Sequence, residues 1–285
     1  MRILLTGRNG QVGWELERAL APLGEVIGTD RSTLDLADPD MVRRVVREAK
    51  PEIIVNAAAY TAVDKAESEP ELAMRINGLA PGVLAEEAKR LGALLVHYST
   101  DYVFDGEKST PYVEEDEPNP INEYGRSKLA GERAVADSGC EHLVLRTSWV
   151  YSARGSNFLL TMLRLGRQKS NLRVVDDQRG APTWARSIAH ATAAVLAQPW
   201  RTEARDVFHV AASGETTWHG FATEIFRLAG YSTRVESIST AQYPSPARRP
   251  KYSVLDCTKF RRVFEMRLPS WQEDLAKVVE SLPPL

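Results

Sequence analysis

A chain of 285 residues is long enough for one large α/β domain, or for a main domain with a smaller lobe. Its composition, 43% hydrophobic and 26% charged, is ordinary for a soluble globular protein. A formal net charge of -2 offers no basic surface to displace counterions, so neither nucleic acid nor an anionic membrane is expected as a partner. Cys140 and Cys257 lack the spacing of a zinc site and are too few for a disulfide framework, which fits a reducing cytoplasm. The first apolar run meets Gly7 too soon for a signal-peptide core, and no stretch approaches the ~20 apolar residues of a membrane span.

Over the first 150 residues, short β-branched runs at 3–5, 25–29, 53–57, 94–98 and 142–146 alternate with amphipathic stretches at 12–20, 40–50, 71–91 and 124–138. This alternation implies βαβ units and a doubly wound parallel sheet. The proline-rich, acidic stretch 109–122 reads as a long loop ahead of the helix that begins at Tyr124. Beyond residue 150 the rhythm loosens. Helices are expected at 157–165, 185–196, 217–229 and 271–281, and short strands at 172–175, 207–210 and 234–238. The expected division is a dinucleotide-binding domain over 1–150 and a mainly substrate-binding lobe over 151–285, with 172–175 and 207–210 as candidate late strands of the main sheet.

The segment Thr6-Gly7-Arg8-Asn9-Gly10-Gln11-Val12-Gly13 leaves the first strand and opens the first helix. In that context glycines permit a tight turn and close approach of backbone to a pyrophosphate, and the helix N-terminus stabilises its charge. Asp30, about 20 residues from the glycines, stands where a carboxylate accepts hydrogen bonds from an adenosine ribose. Asp30 favours NADH by repelling a 2′-phosphate, whereas the adjacent Arg31 suits NADPH, so either cofactor is expected. The small residues of Asn56-Ala57-Ala58-Ala59 let a flat cofactor lie against the backbone, and they suit close strand–helix packing equally well.

The sharpest pattern is Tyr124-Gly125-Arg126-Ser127-Lys128 after Ser99-Thr100-Asp101 at a strand end. An i, i+4 spacing sets Tyr124 and Lys128 on one helix face. There an ammonium lowers a phenol's pKa and makes Tyr124 a proton donor to a carbonyl oxygen. Thr100 falls at the carboxyl end of a parallel strand, where doubly wound sheets bind their ligands.

Taken in order, Thr-Gly-x-x-Gly-x-x-Gly, Asn-Ala-Ala, Ser-Thr-Asp and Tyr-x-x-x-Lys resemble the extended short-chain dehydrogenase/reductases. The likeness runs nearly end to end. It includes Gly10-Gln11-Val12-Gly13-Trp14-Glu15-Leu16, Ala62-Val63-Asp64-Lys65-Ala66-Glu67, His97-Tyr98-Ser99-Thr100-Asp101-Tyr102-Val103-Phe104 and Arg146-Thr147-Ser148-Trp149-Val150-Tyr151. In the second half it rests on Asp177-Gln178-Arg179-Gly180-Ala181-Pro182-Thr183 and the turn from Tyr243 to Pro250.

Within that family the resemblance implies reduction of the 4-keto group of a dTDP-linked 6-deoxysugar to dTDP-L-rhamnose by NADPH or NADH. It implies that Gly7, Gly10, Gln11 and Val12 meet the pyrophosphate, Asp30 and Arg31 the adenosine ribose, and Asp35 and Leu36 the adenine. Ala59, Tyr60 and Thr61 would run along the cofactor. Thr100, Tyr124 and Lys128 would be catalytic, with Tyr124 and Lys128 also touching the cofactor, and Thr100, Asp101, Tyr124, Trp149 and Arg248 would face the sugar nucleotide. Rival readings are an epimerase or dehydratase, which keeps and regenerates its NAD, and a non-catalytic NADP-binding regulatory subunit. Some family members use Mg2+ between subunits, with one ligand near Glu15; here Arg186 stands where those members carry an acid, so no metal ligand is assigned and monomer and homodimer both remain open.

Overall fold

A computed structural model describes residues 1–198 and 206–282. The short stretches 199–205 and 283–285 of the expected second lobe lie outside the described residues. The chain runs β1 (Arg2–Thr6), α1 (Gln11–Leu20), β2 (Glu25–Gly28), α2 (Pro39–Ala49), β3 (Ile53–Asn56), α3 (Val63–Ala66), α4 (Pro70–Met74), α5 (Ala80–Leu91), β4 (Leu94–Thr100), α6 (Glu123–Ser138) and β5 (His142–Thr147). It continues through β6 (Val150–Tyr151), α7 (Phe158–Gly166), β7 (Asn171–Val175), β8 (Arg179–Gly180), β9 (Thr183–Trp184), α8 (Ala185–Ala197), β10 (Asp206–His209), β11 (Thr216–Thr217), α9 (Trp218–Ala229), β12 (Arg234–Ile238), α10 (Thr258–Phe264) and α11 (Trp271–Ser281).

Among the described residues, six parallel strands form the main sheet in the order β10-β5-β4-β3-β1-β2. The expected doubly wound sheet is therefore present, and its strand order reverses between β1 and β3. Such a reversal leaves a crevice at the carboxyl ends of those strands, because the two crossovers leave in opposite directions.

The sheet is covered on both faces, and strand periodicity decides which residue goes where. Ile3, Leu5, Ile53, Val55, Leu94 and Val96 face a core closed by α1, α8 and α10 through Leu16, Ile188 and Phe260. Leu4, Ile54 and Leu95 face the opposite core, closed by α2, α5 and α6 through Val46, Leu84 and Val135.

The second lobe has its own core, in which Leu159, Leu163, Trp184, Phe221, Phe226, Trp271 and Leu275 pack around Tyr151. It is interleaved in sequence with the first. The strand expected at 207–210 is β10 and extends the main sheet beside β5. The strand expected at 172–175 is β7, which pairs instead with β12 in a separate parallel ribbon. Helix α8 packs its Ile188, Ala189 and Val195 on the main sheet, so residues beyond 150 serve both cores. Among the described residues no helix is long and apolar enough to cross a membrane.

Candidate active site

At the crevice, Gly7 adopts φ 72, a left-handed conformation that a side chain disfavours. A Cβ there would lie 2.9 Å from the Ala58 backbone, and one on Gly13 would lie 2.0 Å from the Gly7 carbonyl oxygen. The β1–α1 turn is thus pressed between α1 and the chain leaving β3. Gly10 donates its N–H to the Gly7 carbonyl at 2.9 Å and precedes the first turn of α1, which contains Gln11 and Val12. Val12 packs back on the sheet core. Gln11 reaches the second lobe, accepting from Asn157 at 2.8 Å through its amide oxygen.

Asp30 follows β2 at the outer side of this crevice. Its carboxylate accepts from the Ser32 hydroxyl at 2.6 Å, the Ser32 N–H at 2.9 Å and Asn9 at 3.0 Å. Hydrogen bonds from Ser32 above all hold its pKa below the usual carboxylate value. Arg31 is solvent-exposed and lies 3.9 Å from Asp35. Asp35 caps the following turn through the Ala37 N–H at 2.9 Å, and Leu36 packs into the core beside Val42 and Ile54. Arg8, a residue the sequence pattern did not single out, lies over Gly28 and pairs with Glu17 at 2.7 Å.

Across the crevice, Ala59, Tyr60 and Thr61 follow β3. Asn77 holds this segment, accepting the Tyr60 N–H at 2.8 Å and donating to the Tyr60 carbonyl at 2.9 Å. The same amide donates to the Ser127 hydroxyl at 3.0 Å, and that hydroxyl donates to the Tyr124 carbonyl at 2.7 Å. Asn77 sits in a π-helical turn, Arg75–Leu79, between α4 and α5. Its local bulge turns a buried amide inward, a common use of such turns at functional sites.

Helix α6 is capped by Asn122, which is fully buried; its side chain accepts from the Gly125 N–H at 2.8 Å and donates to the Arg248 carbonyl at 2.8 Å. This cap fixes the first turn that carries Tyr124. The Tyr124 phenol faces the Thr100 hydroxyl. Burial pushes its pKa up to about 12, opposed by the bond to Thr100 and assisted by the Asp101 carboxylate. Thr100 donates to Asp101 at 3.0 Å. Asp101 is buried with one carboxylate oxygen unpaired, and burial raises its pKa to about 7. Lys128 is only 2% exposed. Its ammonium donates to the Tyr98 carbonyl at 2.6 Å, and burial lowers its pKa to about 8, against the favourable charge of Glu132. The expected lowering of the phenol's pKa by Lys128 is not seen: desolvation dominates, and the group that opposes it is Thr100.

The second lobe brings Trp149 and Arg248 toward this edge. Trp149 has φ 45 and stacks on Trp218, ring centroids 3.6 Å apart and planes within 3°. Trp218, which sequence reasoning did not single out, donates to Gln178 at 3.1 Å. Arg248 is exposed, whereas Arg249 is held by Asp64 at 2.8 Å and by Ser245 at 2.6 Å. Asp64 also accepts the Ala247 N–H at 3.2 Å, so the turn from Tyr243 to Pro250 is strapped onto α3. Of the two adjacent arginines, the one without this tether is Arg248.

The residues around Glu15 do not fit a divalent ion. Arg186 reaches Glu15 at 3.0 Å with its guanidinium 4.7 Å over Trp184, so this buried carboxylate is already neutralised by a cation of its own chain. Among the described residues no cluster of histidine, cysteine or acidic side chains has the arrangement of a metal site.

A parallel sheet with a glycine turn at its reversal, and a Tyr-x-x-x-Lys helix against the neighbouring strand ends, defines an extended short-chain dehydrogenase/reductase. More narrowly, the chain belongs to the family described as "RmlD substrate binding domain", whose model matches residues 1–283. It is 50% identical to the dTDP-4-dehydrorhamnose reductase of Burkholderia thailandensis, covering 99% of each chain. It is 45% identical to that of Escherichia coli over 99% of this chain and 98% of the relative. The solved dTDP-4-dehydrorhamnose reductase of Bacillus anthracis in complex with NADP superposes with a TM-score of 0.92 at 37% identity, covering 97% of this chain and 98% of that one. The Thermus thermophilus UDP-glucose 4-epimerase, at 23% identity and a TM-score of 0.83 over 98% of both chains, shares the fold.

Proposed function

We propose that the chain reduces the 4-keto group of dTDP-4-dehydro-6-deoxy-L-mannose to give dTDP-L-rhamnose, with NADPH or NADH as reductant. The observation that carries this reading is the Tyr124 phenol set against the Thr100 hydroxyl, with the buried Lys128 side chain one helical turn along α6. The names of the relatives at 45% and 50% identity support the substrate. The NADP in the Bacillus anthracis neighbour, together with Arg31 next in sequence to Asp30, supports NADPH.

A bound dinucleotide supplies the hydride. Gly7, Gly10, Gln11 and Val12 receive its pyrophosphate at the N-terminus of α1, Asp30 and Arg31 its adenosine ribose, and Asp35 and Leu36 border the adenine. Ala59, Tyr60 and Thr61 line its path to the sheet edge. Tyr124 passes its proton to the developing alkoxide, Thr100 orients the same oxygen, and Lys128 stabilises the phenolate left behind. Asp101, Trp149 and Arg248 hold the sugar nucleotide, Arg248 at the diphosphate. The division of labour is a dinucleotide-binding sheet domain and a substrate lobe drawn mainly from residues after 150. The chain acts in the cytoplasm, as a monomer or homodimer.

Tyr124→Phe removes the acid and leaves the ring. Turnover should fall by about a hundredfold or more, while NADPH affinity measured by fluorescence stays near that of the unsubstituted chain. Equal turnover would remove Tyr124 from the mechanism.

A further inference from the structure

Thr6, Asn56 and His97 stand side by side on three neighbouring strands. The register of β1 with β3 pairs Thr6 with Asn56, and that of β3 with β4 pairs Asn56 with His97. All three are buried, His97 to 0% exposure. Polar groups so placed are costly unless each finds a partner. Here they find one another: Thr6 Oγ1 lies 2.6 Å from Asn56 Oδ1, and the Asn56 amide lies 3.0 Å from His97 Nδ1. The row ends at Lys128, whose Nζ is 3.4 Å from His97 Nε2. At its other end Thr6 Oγ1 accepts the Ala58 N–H at 3.2 Å, beside the backbone pressed against Gly7. An unbroken polar path thus runs through the core from the Lys128 ammonium to the glycine turn.

We propose that His97 is a positioning residue that keeps Lys128 charged and aimed by accepting one of its N–H bonds, and that the ring's tautomer follows the protonation of Lys128 through Asn56 to Thr6. The inference rests on the reading of Lys128 as the lysine of the reductase. It follows from counting donors. With the amide nitrogen of Asn56 toward Nδ1, the ring proton sits on Nε2 and points at Nζ, which suits a neutral amine with a lone pair. An ammonium can only donate. Nε2 must then be the acceptor, Nδ1–H must donate, and Asn56 must turn its carbonyl oxygen to the ring and its NH2 to Thr6. Thr6 Oγ1 has a second lone pair to take that bond beside the Ala58 N–H. The exchange needs a half-turn of one amide, and it takes from the Thr6 hydroxyl the acceptor it has in Asn56 Oδ1.

The ring must remain neutral for this, and burial, then the charge of Lys128, then His142 all hold its pKa well below the ordinary value. The other groups facing the pair act differently. Glu132 on α6 favours the ammonium and is itself paired with Arg146 of β5 at 2.7 Å. Tyr98 offers its carbonyl to Lys128 while its phenol bonds Thr192 at 2.6 Å. Tyr124 shares the helix face, and Asp101 lies beyond it next to Thr100. None of these takes the place at His97 Nε2.

The test is a nuclear magnetic resonance titration of the whole chain carrying 15N-histidine and 13C-lysine, from about pH 6 to about pH 10. His97→Gln and Lys128→Met identify the two signals. His97 Nε2 is expected to be the unprotonated nitrogen at low pH and to become the protonated one as Lys128 loses its charge, both midpoints falling near about 8. A single tautomer throughout, while Lys128 titrates, overturns the proposal. In turnover, His97→Leu should move the alkaline limb of the pH profile down by about one pH unit, and His97→Gln, which retains a carbonyl acceptor, should restore it. An unchanged limb in the leucine variant also overturns the proposal. Should that variant not fold, the titration of the unsubstituted chain decides alone. Absence of turnover with the tautomer switch intact would count against the reductase reading and not against the network.

Discussion

Gly13→Ala places a methyl group where the turn leaves no room. The new carbon would lie 2.0 Å from the Gly7 carbonyl oxygen, 2.7 Å from its carbon and 3.1 Å from the Arg8 Cα. All three are backbone atoms, so no side chain can rotate away, and α1 must withdraw from the β1 turn by roughly 1 Å to restore ordinary contact. Overpacking of this kind costs about 1–3 kcal/mol, equivalent to roughly fivefold to a hundredfold in an equilibrium constant. Two measurements divide the cost: a thermal melt reads what is borne by folding, and a fluorescence titration with NADPH reads what is borne by the turn proposed to receive the pyrophosphate. Binding of NADPH should weaken by about tenfold, with a modest fall in melting temperature. If both quantities match those of the unsubstituted chain, close approach of turn and helix is not what the glycine is for.

Two further substitutions probe the substrate side. Asp64→Ala frees the turn that carries Arg248, by removing its bonds to Arg249 and to the Ala247 N–H; because the pair is partly exposed its worth is about 1 kcal/mol, so KM for the sugar nucleotide should rise about fivefold with NADPH affinity unchanged, and an unchanged KM would contradict the role of the strap. Asp101 has a folded pKa raised by burial to about 7 from 3.8. The folded chain therefore holds a proton that the unfolded chain has lost between those values, and the stability this lends is full below the lower value and lost as pH rises through the upper. Melting temperatures should fall across this window in the unsubstituted chain and fall less in Asp101→Asn; parallel curves would show that Asp101 is not a buried acid.

The parts of the site that are local in sequence were legible in it. The glycine turn follows a strand and opens a helix, and Tyr124 and Lys128 are one helical turn apart, so spacing alone places each pair. What was not legible depends on register. Thr6, Asn56 and His97 are separated by 50 and 41 residues and meet only because three strands align without slippage. Trp218 had no cue in its own segment; its stacking on Trp149 follows from how α9 seats in the second lobe. The interleaving of the two cores was hidden for the same reason, since 172–175 and 207–210 are equally good strand sequences and differ only in which neighbour offers an open edge. Helix α10 and the π turn at Asn77 escaped because both are short and their stability comes from tertiary contacts.

The Glu15–Arg186 pair and the Thr100, Tyr124 and Lys128 set together make one claim, a metal-independent keto reduction. It is tested most directly by following NADPH absorbance when the purified chain meets dTDP-4-dehydro-6-deoxy-L-mannose in the presence of a chelator. Oxidation of one NADPH per dTDP-L-rhamnose formed, unaffected by the chelator, is the predicted result. No oxidation of NADPH or NADH, with or without added magnesium, would contradict the account.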